Sequence, residues 1–266
     1  MLNKLIFSET DIKTETDNLK SEYVLEMKHL KKSFGENHVL QDISLVLNKG
    51  ENLVILGQSG SGKSVLIKCI VGLNEADEGK LFILGNNIED IKAEEVIELR
   101  KKIGFLFQSG ALYDSMTVRE NLEFPLRRQL HSLTKETINS LVSEALENVG
   151  LSDSIDITPS ELSGGMRKRL GLARTLILKP EIMLYDEPTT GLDPITSNSI
   201  DQLIKDLSEK IKVTSVVVTH DMYSVKNVAD KVAMIHEGKI YFVGKQQELL
   251  TSDDPVIIDF IKRTGV

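Results

Sequence analysis

One stretch of eight residues limits this chain more than any other. Gly57-Gln58-Ser59-Gly60-Ser61-Gly62-Lys63-Ser64 follows the apolar run Leu53-Val54-Ile55-Leu56 and opens a helical pattern from Lys63 to about Val71. It fits the spacing G-x-x-x-x-G-K-[ST]. An apolar run without alternation suits a strand buried on both faces of a parallel sheet. The glycines let main-chain N–H groups curl around phosphate oxygens without Cβ clashes. The positive end of the following helix faces the same anion. In such a loop Lys63 brings a point charge to the terminal phosphates, and the Ser64 hydroxyl is a ligand for Mg²⁺. A Gly/Ser-rich linker has a similar composition but requires no strand before it or helix after it.

The rest of the chain reads as an α/β fold around that loop. Val24, Leu25 and Met27 begin a strand near Tyr23, and Ile43, Leu45 and Leu47 alternate through a second strand from Leu40. Asn48-Lys49-Gly50 reads as a turn and possible hairpin, so these segments predict a small antiparallel β lobe. Ile182–Tyr185 and Thr214–Val218 are further buried-type strands, joined by a helix over Ser199–Ile211. That alternation predicts a parallel core with right-handed crossovers. Between about residues 110 and 180 strand signals are missing. Val118–Leu130, Thr134–Val149 and Gly164–Leu178 read as helices, with Leu141, Ala145, Leu146 and Val149 on one apolar face. The expected organisation is a leader over residues 1–22, too polar to order itself, then one domain over 23–266 with a helical subdomain inserted at about 110–180.

Composition excludes several classes. A hydrophobic share of 41% and a charged share of 27% are ordinary for a globular protein and rule out whole-chain disorder or coiled coil. No stretch reaches the roughly 18 apolar residues of a membrane span. Met1–Lys20 lacks the apolar core of a signal peptide, and the single Cys69 fits a reducing compartment. A net charge of −8 argues against a nucleic-acid partner.

The strand Ile182–Tyr185 runs into two acids, Asp186 and Glu187. In a parallel sheet ligands gather beyond the carboxyl ends of the strands. Asp186 is therefore expected beside the Mg²⁺ held by Ser64, and Glu187 beside the attacking water. Leu162-Ser163-Gly164-Gly165-Met166 opens a helix whose first turn carries no acid, a second anion-binding start. One ATP cannot easily use both sites of one molecule. The economical arrangement is a head-to-tail pair, each nucleotide clamped between one chain's phosphate loop and the other chain's Ser163-Gly164-Gly165.

With these motifs in this order, the sequence resembles the ATP-binding subunits of ABC transporters from about residue 23 to 250. The resemblance implies a P-loop ATPase core, ATP and Mg²⁺ as cofactors, a homodimer, and integral-membrane permease partners. It implies that Phe34 stacks on adenine, that Gln108 reaches the metal and water, that Asp193 of Gly191-Leu192-Asp193-Pro194 crosses the dimer interface, and that His220 contacts the γ-phosphate. Asp193 before Pro194 is also a good helix N-cap.

A finer resemblance is to the Mla-type (MlaF-like) phospholipid-transport ATPases, carried by Phe107-Gln108-Ser109-Gly110-Ala111-Leu112-Tyr113-Asp114-Ser115-Met116-Thr117-Val118, by Pro159–Met166 and by Gly191–Thr196. It implies phospholipid transport between bacterial membranes, with an MCE-type lipid carrier reached through the permease, at the cytoplasmic face of the inner membrane. It also implies that the permease docks on Ser109–Leu126, where Ala111, Leu112, Met116 and Val118 are the apolar candidates. A long C-terminal tail embracing the neighbouring subunit is not expected after Asp253–Lys262. The alternatives are an importer ATPase for amino acids or another small solute and, less favoured, a non-transport ABC ATPase. Ribosome-type members usually carry two cassettes, and repair-type members insert a long coiled coil.

Overall fold

Buried strands dictate the layout. In the computed structural model, which describes residues 23–130 and 132–264, Asn52–Leu56 (β3), Ile182–Asp186 (β7) and Thr214–Thr219 (β8) are buried at every position. They pair in parallel, with Ile103–Leu106 (β6) at the edge beyond β7 and Lys231–His236 (β9) on the other side of β3. Alternate side chains feed two cores. Val54, Leu56, Met183, Tyr185 and Val217 face one, while Leu53, Ile55, Ile182, Leu184, Val216 and Val218 face the other. Period-2 alternation inside an all-apolar strand thus supplies both layers.

Tyr23–Phe34 (β1) and Asn37–Asn48 (β2) form an antiparallel hairpin, extended by Glu78–Ile83 (β4) and the short Asn86–Asn87 (β5). Lys239–Gly244 (β10) joins the two regions, antiparallel to β9 and parallel to β2. The sheet order is β5-β4-β1-β2-β10-β9-β3-β8-β7-β6.

Lys63–Ile70 (α1) and Ala93–Arg100 (α2) cover the second core; Val118–Gln129 (α3), Lys135–Val149 (α4) and Gly164–Leu176 (α5) lie over the first. Pro194–Ile211 (α6), Met222–Val228 (α7), Gln246–Leu250 (α8) and Pro255–Arg263 (α9) complete the chain. Thr117, Thr134, Ser163, Asp193, Asp221 and Asp254 each accept main-chain N–H bonds at helix starts, which explains where α3–α7 and α9 begin.

The parallel core, the antiparallel lobe and the absence of strands among the described residues between β6 and β7 agree with the pattern read from sequence. Four details differ. Asn48–Gly50 turns the chain but makes no hairpin, because β3 pairs with β8 and β9; the hairpin turn is at Gly35–Glu36. Helix α6 starts at Pro194, five residues before Ser199, because Asp193 accepts from the N–H groups of Ile195 and Thr196. On α4, Ile138 and Val142 join the buried face, while Leu141 stays half-buried. Strands β4, β5, β9 and β10 had no sequence expectation, although β9 holds the apolar run Val232–Ile235. The expected leader, residues 1–22, lies outside the described residues. Among the described residues no helix is long and apolar enough to cross a membrane.

Candidate active site

The loop Gly57–Ser64 joins the carboxyl end of β3 to α1. Its tightness is measurable. A Cβ on Gly57 would stand 2.4 Å from Ser61 Oγ and 2.7 Å from the Ile235 carbonyl, so only glycine fits there. Gly62 caps α1 at φ 100°, a conformation costly for any residue with a Cβ. The Ser61 hydroxyl is buried without a hydrogen-bond partner, as a cradle for an oxyanion requires. Lys63, 5% exposed, donates from Nζ to the carbonyls of Gly57 (2.9 Å) and Gln58 (3.0 Å). Burial lowers its pKa, and Glu187 and Asp186 partly offset that.

The parallel register brings the acids to the loop. Asp186 ends β7, buried, and Ser64 Oγ donates to its Oδ1 at 2.9 Å across 122 positions of sequence. Two hard oxygens on one side of a phosphate cradle suit Mg²⁺, which takes one or two protein ligands and completes its shell with water and phosphate. No cluster of three or more His, Cys, Asp or Glu able to hold a metal occurs among the described residues.

Glu187 follows at φ 52°, an uncommon conformation for a residue with a side chain. Its N–H donates to the Val218 carbonyl at 2.9 Å, which turns the carboxylate out of the sheet. Oε2 lies 2.7 Å from His220 Nδ1 and accepts from Thr190 Oγ1 at 2.8 Å; Oε1 lies 3.8 Å from Lys63 Nζ. A carboxylate held from three directions is arranged as an oriented base.

Gln58, Ser59, Gly60, Gly62, Lys63, Ser64, Gln108, Glu187 and His220 line one cleft of about 690 Å³. Sequence reasoning missed Thr190, although its place three residues after Glu187 was a usable signal. It also missed Val39 and, from the end of α9, Phe260, Arg263 and Thr264, which line the cleft through long-range packing that no local pattern announces.

Other expected residues lie elsewhere. Phe34 stands half-exposed at the tip of the β1–β2 hairpin, its ring 5.3 Å from Lys32 Nζ, and does not line the cleft. Ser163, Gly164 and Gly165 also stay outside it and pack against the Asp193 loop. A Cβ on Gly165 would stand 2.5 Å from Thr196 Cγ2, and one on Gly164 3.3 Å from Leu192 Cδ2. Asp193 accepts from Thr196 Oγ1 at 2.5 Å and from two main-chain N–H groups; the Thr196 hydroxyl, then these amides, hold its pKa low. In the Ser109–Leu126 segment, Val118 is fully buried and cannot meet a partner, Leu112 and Met116 are half-buried, and Ala111 and Tyr113 are exposed, as is Phe107 just before the segment.

A strand, a glycine loop, a helix and an acidic strand end placed beside the loop define a P-loop nucleoside-triphosphatase. Comparison with known proteins places it further. Residues 40–190 match the ABC transporter family, and the chain belongs to that family. It is 42% identical over 238 residues to the "Probable ribonucleotide transport ATP-binding protein mkl" of Mycobacterium leprae, spanning 89% of this chain and 68% of that protein. It is 40% identical over 244 residues to the methionine import ATP-binding protein MetN of Rhizobium johnstonii, spanning 92% and 67%. It is 38% identical over 239 residues to the intermembrane phospholipid transport system ATP-binding protein MlaF of Haemophilus influenzae, spanning 90% of each chain. Among solved structures, the dimeric post-hydrolysis state of the ATP-binding cassette MJ0796 with ADP and phosphate superposes with a TM-score of 0.75 at 32% identity, over 84% of this chain and 98% of that one. The chain is an ATPase that uses ATP with Mg²⁺, and ATP-binding subunits of this family dimerise and work with membrane permease components.

Proposed function

We propose that this chain energises phospholipid transport between bacterial membranes, as the ATPase of an Mla/MCE-type system on the cytoplasmic face of the inner membrane. The similarity to MlaF supports this reading. The observation that carries it is the segment Phe107–Val118, similar in sequence to the Mla-type ATPases, which leaves Phe107, Ala111 and Tyr113 exposed beside α3. Tyr113 is braced edge-on by Phe124 at 4.9 Å and stacked under Arg174 at 4.8 Å, a firm apolar step for a permease helix. The second reading is an importer ATPase for amino acids or another small solute, favoured by the comparable similarity to MetN, 40% against 38% for MlaF. Purifying the chain with its native membrane partners and identifying bound lipid by mass spectrometry tests the two. Co-purified phospholipid with an MCE-type protein supports the first, and a small-solute permease without lipid overturns it.

The same proposal assigns roles in the reaction. The loop amides from Gln58 to Lys63 and the Lys63 ammonium hold the ATP phosphates, and Phe34 stacks on adenine. Ser64, Asp186 and Gln108 would hold Mg²⁺, which would supply positive charge against the phosphate oxygens. Glu187 accepts a proton from the attacking water as the new P–O bond forms and the bond to the β-phosphate oxygen breaks in line. His220 keeps the Glu187 carboxylate aimed and contacts the γ-phosphate. Ser163, Gly164 and Gly165, remote from their own cleft, serve the γ-phosphate of a second copy, with Asp193 crossing between the copies.

A further inference from the structure

Lys168 occupies a position that lysine rarely tolerates. It sits on the second turn of α5, the helix capped by Ser163, and is only 7% exposed. A buried ammonium is retained only when something compensates its lost hydration. Among the described residues it forms no ion pair within 4.0 Å; its Nζ donates instead to the main-chain carbonyl of Gln108. Burial lowers its pKa, while the Glu187 and Asp186 carboxylates lie close enough to pull it back up.

Two further contacts tie α5 to the same turn. Arg174 donates to the Ala111 carbonyl at 2.5 Å. Gly171 lets the turn approach, since a Cβ there would stand 3.0 Å from Leu106 Cδ1 and 3.2 Å from the Gly110 carbonyl. Helix α5 and residues 107–111 are therefore joined at three points.

We propose that Lys168 is a positioning residue that locks Gln108 to the start of α5. The glutamine facing one nucleotide's metal and the Ser163-Gly164-Gly165 turn offered to the other nucleotide then shift together. Lys168 is thus the mechanical link through which filling one site of a dimer prepares its own α5 for the partner's ATP. The inference rests on the roles proposed above for Gln108 and Ser163–Gly165.

The test compares the full-length chain with K168M, which keeps the length and apolar volume but removes the donor and charge. ATP and Mg²⁺ are titrated separately. In K168M kcat falls about tenfold, as expected for loss of one charge-assisted hydrogen bond. The Mg²⁺ concentration for half-maximal rate rises, the Hill coefficient for ATP drops towards 1, and ATP affinity and melting temperature hold. K168Q, whose amide retains a donor, recovers most of the rate. In a Q108A background K168M produces no further change in Mg²⁺ dependence. If Q108A itself leaves that dependence unmoved, the role of Gln108 fails first. If Q108A shifts it and K168M does not, the Lys168 link alone is overturned. A K168M protein that melts earlier and loses ATP affinity together with kcat assigns Lys168 to packing and overturns the link as well.

Discussion

His220 Nδ1 lies 2.7 Å from Glu187 Oε2, although 33 positions of sequence separate the two residues. The strands that end one residue before them, β7 and β8, are neighbours in the sheet, with Asp186 in register with Val218. The contact gives the carboxylate a fixed direction, which Thr190 shares on the same oxygen. A base that must accept a proton from one water gains rate from being aimed before the substrate arrives.

Substituting Glu187→Gln keeps the shape and removes the base. Turnover is expected to fall by about 10²–10⁴-fold with ATP affinity retained, and gel filtration with ATP should show a stable dimer. A phosphate-release rate within a few-fold of the parent, or a species that stays monomeric with ATP, removes Glu187 from its assigned role.

Thr190→Val deletes one of the bonds that aim Glu187 at nearly constant volume. We expect kcat to fall by about 10–150-fold, the range for one lost hydrogen bond to a charged group, with KM for ATP little changed. A rise in KM at constant kcat would instead mean that Thr190 binds nucleotide.

Lys63→Ala removes the only charged side chain inside the loop and leaves the carbonyls of Gly57 and Gln58 without their donor. Titration with a fluorescent ATP analogue should show affinity lost by at least about tenfold. Affinity equal to the parent's would mean that the amides alone hold the phosphates.

Asp201, on α6, is fully buried, and neither carboxylate oxygen receives a well-formed hydrogen bond, although the Ser224 and Asn227 side chains face it. Burial pushes its pKa from 3.8 up to about 6; Ser224 and Asn227 offset only part of this, and Asp221 adds to it. Below pH 3.8 both folded and unfolded chains carry the proton. Between 3.8 and about 6 the unfolded chain releases it first, so stability falls as pH rises through that window and stays lower above it. The gap amounts to on the order of 3 kcal/mol at pH 7. Asp201→Asn should therefore raise the melting temperature at pH 7.5 and change it little at pH 3.5. Equal shifts at both values would place the effect in packing rather than in charge.

Local chemistry made much of the site legible. The glycine loop, the acidic end of β7 and the Ser163 cap each announce themselves within a few residues, because each answers to a local demand: a tight turn, a strand end, an orphaned helix start. The strands β4, β5 and β10 did not, since exposed or short strands lack the apolar pattern that signals burial, whereas β9 carries the buried run Val232–Ile235 and was legible but missed. Val118 shows the limit from the other side. It belongs to an apolar segment suited to docking a partner, yet its place at the start of α3 turns it into the core.

By itself the sequence determined which residue types could meet phosphate, metal and water, because side-chain chemistry and backbone freedom are carried residue by residue. Only the tertiary structure decided which of them share a cleft. Ser64 reaches Asp186, Lys63 nears Glu187 and Lys168 reaches Gln108 through strand order and helix packing. Those distances depend on how two cores are filled on either face of one sheet, a property of the whole chain that no segment of it holds alone.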